Sequence, residues 1–130
     1  MADSISRLHN AVLAARTADP AKSRTARLLQ AGGAKMAKKL AEEAVEVVID
    51  AMHGQPEAVV RESADLLYNL VVLWVHAGVT PDQVWAEMRR REQLFGIAEK
   101  LPKDLVKPLS RPKSASKVVP LRPVRARKRR

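Results

Sequence analysis

The chain predicts an all-α fold, and three observations carry that prediction. Its hydrophobic content is 46% while its aromatic content is only 3%, with two Trp, one Tyr and one Phe. The core must therefore be built from Leu, Val, Ile, Ala and Met, a palette that suits packed helices. Residues 34–52 and 57–77 contain no Gly or Pro, so nothing inside them interrupts a helix. Gly and Pro gather instead at the joints between such segments, and the whole chain, at 130 residues, is a one-domain prospect.

The elements follow in order. From Ser4 to about Ala18 the apolar residues Ile5, Leu8, Val12 and Ala15 recur at three- and four-residue steps, an amphipathic helix with Ser4 as its cap. Asp19-Pro20 stops it. A short helical turn from Ser23 to Ala31 ends at Gly32-Gly33. The segment Ala34–Met52, rich in Ala, Lys, Glu, Met and Leu, reads as a long helix. His53-Gly54-Gln55-Pro56 closes it and opens another, Gly54 suiting a left-handed closing position and Pro56 a first helical turn.

From Pro56 to Ala77 the residues Val59, Leu66, Leu67, Leu70, Leu73 and Trp74 form a broad apolar stripe, the mark of a helix buried on more than one side. Gly78 closes it. Thr80-Pro81-Asp82-Gln83 reads as a capping box, Thr80 and Gln83 each satisfying the other's backbone N–H, and a last helix runs to about Phe95. The β-branched runs Val45–Ile49 and Val71-Val72 suggest strands only out of context, because each lies inside a long segment with helix boundaries. Trp74 and Trp85 read as anchors of the core or of a dimer interface.

Charge divides the chain in two. The net charge is +10, but residues 100–130 hold twelve Lys/Arg against Asp104 alone, a net of +11, which leaves residues 1–99 at −1. Five of the eight prolines also fall after residue 100. Residues 1–99 therefore read as the folded domain and residues 100–130 as a disordered basic tail. Such a tail suits RNA, DNA or an acidic partner surface, although no aromatic residue is interleaved to stack on bases. The chain has no Cys, which excludes disulfides, thiolate chemistry and Cys-held metals. It shows no signal-peptide pattern and no apolar run approaching a membrane span, so the expectation is a cytoplasmic protein with no membrane partner. His9, His53 and His76 show no metal-ligand spacing.

The chemistry lies in the acids. Glu42, Glu43, Glu46 and Asp50 fall in one expected helix, Glu62 and Asp65 in the next. Glu43 with Glu46, and Glu62 with Asp65, are spaced to project from one helical face each, and Ala64, Leu66 and Leu67 beside Glu62 and Asp65 make that segment too apolar to be freely exposed. A joint of a few residues makes the two helices an antiparallel hairpin. Glu46 lies about as far before the joint as Glu62 lies after it, so at about 1.5 Å per residue the two pairs sit at one height. Four carboxylates so close repel unless a cation lies between them. Mg²⁺ suits this site, since it prefers oxygen ligands and typically bridges carboxylates to substrate phosphates.

Lys38-Lys39-Leu40-Ala41-Glu42-Glu43-Ala44-Val45-Glu46-Val47-Val48-Ile49, followed by Glu62-Ser63-Ala64-Asp65-Leu66-Leu67-Tyr68, resembles the phosphoribosyl-ATP pyrophosphohydrolases of histidine biosynthesis. These are members of the MazG-like all-α pyrophosphohydrolases, whose pattern is Glu-Glu-x-x-Glu and then Glu-x-x-Asp on the next helix. The resemblance runs from about Ile5 to Gln93. It implies an obligate homodimer forming a helical bundle, with Mg²⁺ held by Glu43, Glu46, Glu62 and Asp65 and with Glu42 supporting them or orienting water. It implies release of pyrophosphate from phosphoribosyl-ATP, leaving phosphoribosyl-AMP. Lys38 and Lys39 would contact phosphate. Ser23-Arg24-Thr25-Ala26-Arg27-Leu28 resembles the family's Ser-Tyr-Thr-Ala-Lys-Leu, which implies substrate contacts for Ser23, Thr25 and Arg27. Three places depart from the family pattern: Arg24 stands for Tyr, Ala41 for Gly, and residues 91–96 for Arg-x-Gly-x-Ser-Gly. These bear on nucleotide choice more than on metal chemistry.

Two further readings stay open at this point. One is a related enzyme that hydrolyses other nucleoside triphosphates with the same acids. The other is a catalytically silent dimeric adaptor whose tail binds nucleic acid, which predicts steeply salt-dependent binding lost on deletion of residues 100–130.

Overall fold

In a computed structural model, residues 3–95 are described, Phe95 by its backbone alone; the basic segment 100–130 lies outside them. Five helices account for most of the described residues: α1 (Ser4–Ala15), α2 (Arg24–Ala31), α3 (Gly33–Met52), α4 (Pro56–Ala77) and α5 (Pro81–Phe95), with no strand among the described residues. The valine-rich runs are helical, as segment length requires. None of these helices is long and apolar enough to cross a membrane.

Local chemistry sets most of the boundaries. The cap of α1 is Asp3 rather than Ser4, its carboxylate accepting the Ser6 N–H at 2.6 Å, while the Ser4 hydroxyl accepts from Arg7 Nη2 at 2.9 Å. An ionised carboxylate is the stronger acceptor for a helix's unpaired amides. The helix also ends at Ala15, three residues before the expected limit. Tighter three-residue bonds from Arg16 to Leu13 and from Ala18 to Ala15 unwind it ahead of Pro20. Ser23 caps α2 by accepting the Ala26 N–H at 3.1 Å. Gly54 at φ 66° lies in the joint before α4, and Gly78 at φ 73° closes α4, both in the left-handed region that costs a side-chain-bearing residue energy. The capping box forms as spaced, Thr80 N–H donating to Gln83 Oε1 at 2.9 Å and Gln83 N–H to Thr80 Oγ1 at 3.4 Å.

Packing builds outward from the α3–α4 hairpin, with α1 laid against α4 and α2 against α3. The core is Val12, Met36, Val71, Val72 and Val75, bordered by Ile5, Leu8, Leu28, Leu29, Tyr68, Leu73 and Trp74. This differs from the expected α4 stripe. The fully buried positions fall at Val71 and Val72, whereas Leu67 is 45% exposed. The reason is tertiary: α1 covers one end of the hairpin, and the other end projects with its outer face bare. Trp74 and Trp85 meet edge-to-face at 6.4 Å and 84°, pinning α5 to α4. Met36 is 1% exposed at the junction of these elements. Met36→Ala should cost about 2–5 kcal/mol of unfolding free energy, measurable as a lower urea midpoint with helical content kept in water.

Candidate metal and phosphate site

Glu43 on α3 and Glu62 and Asp65 on α4 each bring a carboxylate oxygen within 4.8 Å of the others. The register explains this. Glu43 stands eleven residues before Gly54 and Asp65 eleven residues after it, so an antiparallel hairpin sets them at one height, and Glu62 lies a turn from Asp65 on the same face. Glu46 also sits beside Glu62. Glu46 first and Glu43 second hold a proton on Glu62 by hydrogen bonding and charge repulsion, pushing its pKa up to about 7. Asp65 is exposed, although its apolar neighbours in the sequence suggested a sheltered position; Ala64 and Leu67 are exposed with it.

The cluster lacks a positive charge. No Lys or Arg among the described residues pairs with Glu43, Glu46, Glu62 or Asp65. Oxygen Oε2 of Glu43 is shielded from solvent and has no hydrogen-bond partner. A shielded, unpartnered carboxylate oxygen is costly unless something cationic meets it. A hard divalent ion that binds oxygen is the group these residues fit.

A cleft of about 370 Å³ opens from the acids between α2, α3 and α4. Glu43 and Asp65 form one wall of it. Four cations, Arg24, Arg27, Lys35 and Lys39, form much of the rest, with Leu28, Ala31, Tyr68 and Asn69. Lys35, Lys39 and Glu43 follow one another at four-residue steps, a single row along α3. The α2 wall is tied to α4 by a 2.6 Å hydrogen bond between the Thr25 and Tyr68 hydroxyls. Asn69 is buried and donates from Nδ2 to the Asp65 carbonyl at 2.8 Å, which fixes the orientation of its amide inside the cleft.

The residues singled out in the sequence divide accordingly. Glu43, Glu62 and Asp65 come together with Glu46 at their edge. Lys39 and Arg27 line the cleft, Arg27 also donating from Nη1 to the Pro20 carbonyl at 2.7 Å. Glu42 and Lys38 lie about 100° round the helix from that row, outside the cleft lining, and face each other at 3.9 Å on the surface. Ser23 is occupied as the cap of α2 and Thr25 by Tyr68. Sequence reasoning passed over Lys35, Arg24 as a lining residue, Tyr68 and Asn69. The four-residue spacing of Lys35, Lys39 and Glu43 was the available signal for the first of these.

Residues 5–92 match the family described as phosphoribosyl-ATP pyrophosphohydrolase. The chain belongs to that family. It is 74% identical over 106 residues to the phosphoribosyl-ATP pyrophosphatase 2 of Rhodopseudomonas palustris, covering 82% of this chain and 81% of that one. It is 66% identical to the phosphoribosyl-ATP pyrophosphatase 2 of Bradyrhizobium diazoefficiens, over 95% of this chain and 91% of the relative. It is also 50% identical to the phosphoribosyl-ATP pyrophosphatase of Granulibacter bethesdensis, over 80% of this chain and 65% of the relative. Within this pyrophosphohydrolase family, both halves of the acid pattern and all four cleft cations of this chain fall inside the matched residues.

The raised pKa of Glu62 has a measurable consequence. Its value in the folded protein, about 7, exceeds the ordinary 4.5, so between those values the folded state keeps a proton that the unfolded chain has released. That contribution to stability is complete below the ordinary value and disappears as pH rises through about 7. With chelator present, the melting temperature should therefore fall as pH is raised through this range, and Glu62→Gln should flatten the decline. A wild-type melting temperature that climbed through the same interval would contradict the proton-sharing cluster.

Proposed function

We propose that this chain hydrolyses phosphoribosyl-ATP to phosphoribosyl-AMP and pyrophosphate in the cytoplasm, with Mg²⁺ held by Glu43, Glu46, Glu62 and Asp65. The observation that carries the reading is the meeting, in one cleft, of an uncompensated carboxylate cluster with a wall of cations, in a chain of this family. Residues 1–99 are the catalytic domain in this reading, and the basic tail of residues 100–130 has no part in the chemistry.

A divalent cation bound at the acids supplies Lewis-acid polarisation of the phosphoryl oxygens and screens the charge of departing pyrophosphate. The protein does the rest by placement. Lys39, one turn from Glu43 on the same row of α3, and Arg24 and Arg27 on α2 hold phosphate oxygens beside the acids. The Thr25–Tyr68 bond keeps α2 at a fixed distance from α4, so the cations do not drift from the reacting centre. A cation held beside Glu62 would displace its proton, so cation binding should strengthen as pH rises through about 7.

The same reading includes a homodimer. Val45, Val48, Ile49 and Met52 on α3, with Val60 and Leu67 on α4, are 45–78% exposed and run along the bare face of the hairpin. A contiguous aliphatic strip of this length marks an interaction surface, and a second hairpin laid against it makes a four-helix bundle.

The test is steady-state turnover of phosphoribosyl-ATP with Mg²⁺, repeated in excess chelator and compared with ATP and the common deoxynucleoside triphosphates. Turnover abolished by chelator and highest for phosphoribosyl-ATP is expected. A strong preference for the ordinary triphosphates would move the chain to the related housecleaning activity.

A further inference from the structure

We propose that Lys35 holds the second phosphate of the substrate, the monophosphate on the ribose that does not carry the triphosphate, and so selects phosphoribosyl-ATP over ordinary nucleoside triphosphates. The inference rests on the hydrolase reading above, and adds a residue that neither the family pattern nor the acid cluster assigns. Phosphoribosyl-ATP has two anionic ends: a triphosphate on one ribose and a monophosphate on the other, with the base between them. ATP and the deoxynucleotides have only the first.

The lining of the cleft extends along α3 well beyond the acids. Lys35, Lys39 and Glu43 all line it, and lie on one row of α3. Each four-residue step advances about 6 Å, so Lys35 stands about 12 Å from Glu43 along the helix. Helical side chains lean toward the amino terminus, which carries the Lys35 amine still farther from the acids. A pyrophosphate group held at the acids meets Lys39 and ends well short of Lys35. A cation is therefore placed where an ordinary triphosphate has no charge.

Three observations make that far end fit for a phosphate. Lys35 has no carboxylate partner among the described residues, in contrast to its neighbour Lys38, which pairs with Glu42 at 3.9 Å. Ala31, the last residue of α2 before the Gly32 turn, and Leu28, one turn earlier, line the cleft and offer an apolar bed for a base on the way there. The first turn of α3 begins at Gly33 without a side-chain cap, so its positive end adds to the Lys35 charge. Arg24 sits elsewhere in this layout. Its neighbour Thr25 bonds to Tyr68, one turn from Asp65, which sets Arg24 toward the triphosphate end.

The experiment is steady-state kinetics on the full chain with phosphoribosyl-ATP and Mg²⁺, for the wild type, Lys35→Gln and Lys35→Arg, with inhibition by magnesium pyrophosphate measured on each. Loss of a charge-assisted contact to a part of the substrate remote from the reaction should raise KM about ten- to a hundredfold, with the loss falling on KM rather than kcat. Lys35→Arg should restore KM to within about threefold, since it keeps the charge. Inhibition by pyrophosphate should match the wild type in both variants, because that product lies at the other end. An unchanged KM in Lys35→Gln, or weakened inhibition by pyrophosphate, would overturn the assignment. A wild type without turnover would overturn the hydrolase reading and this inference together, so the two failures are told apart by the wild-type control.

Discussion

Glu43→Gln is expected to lower turnover of phosphoribosyl-ATP by at least about a thousandfold, and Asp65→Asn to do the same, while neither variant loses helical content. Glu43 is the member of the cluster with a shielded oxygen and no partner for it. The amide keeps the size of the side chain but replaces one anionic acceptor with a donor, so the set of oxygens that would hold a cation is broken at its most enclosed point. The stability readout separates this from simple damage. Removing one charge from a cluster of repelling acids should leave the melting temperature in chelator unchanged or higher, since the native state carries that repulsion as the cost of the site. Added Mg²⁺ should raise the melting temperature of the wild type and fail to raise that of either variant. Near-normal turnover in either one would remove the acid cluster from the mechanism.

Much of this site was legible in the sequence because its determinants are local. The joint at residues 53–56 is so short that the helices on either side must run antiparallel, and counting from Gly54 then sets Glu43 against Asp65 with no knowledge of the rest of the fold. The Thr80–Gln83 box and the Gly78 closure needed only residues within four positions of each other. What was not legible depends on contacts distant in sequence. Thr25 and Tyr68 are 43 residues apart, and the bond by which they hold α2 against α4 has no local signal in the sequence. Lys35 and Arg24 as lining residues follow from that placement, as does the separation of Lys39, inside the cleft, from Lys38, outside it. The exposure on α4 has a related cause. Apolar neighbours around Asp65 suggested shelter, but α1 covers the other end of the hairpin, and Leu67 and Asp65 are left exposed. The departures at residues 91–94 fall on the exposed end of α5. Gly96 and the basic segment lie outside the described residues.

Placing a charge on the bare face of the hairpin should have an effect as large as removing an acid of the cluster, on assembly first and activity second. Val48 is 59% exposed in the middle of the strip, flanked by Val45, Ile49 and Met52 at helical spacing. Burying one such aliphatic side chain fully contributes about 1.5–3 kcal/mol, and a two-fold interface presents the strip from both copies, doubling every term. Val48→Asp does the reverse on the same scale. It removes that contribution twice and sets two carboxylates into a dry seam, where each unpaired charge costs several kcal/mol. Sedimentation should show the wild type at twice the chain mass and Val48→Asp at the chain mass or unfolded. Val48→Ile, which keeps the strip apolar, should sediment with the wild type. If the wild type runs at the chain mass, or Val48→Asp remains at twice it, the hairpin face is not where two copies meet. Should Val48→Asp become a folded monomer, its residual turnover would report whether Asp65 and Glu46, exposed in the single chain, need the second copy to complete the cleft around them.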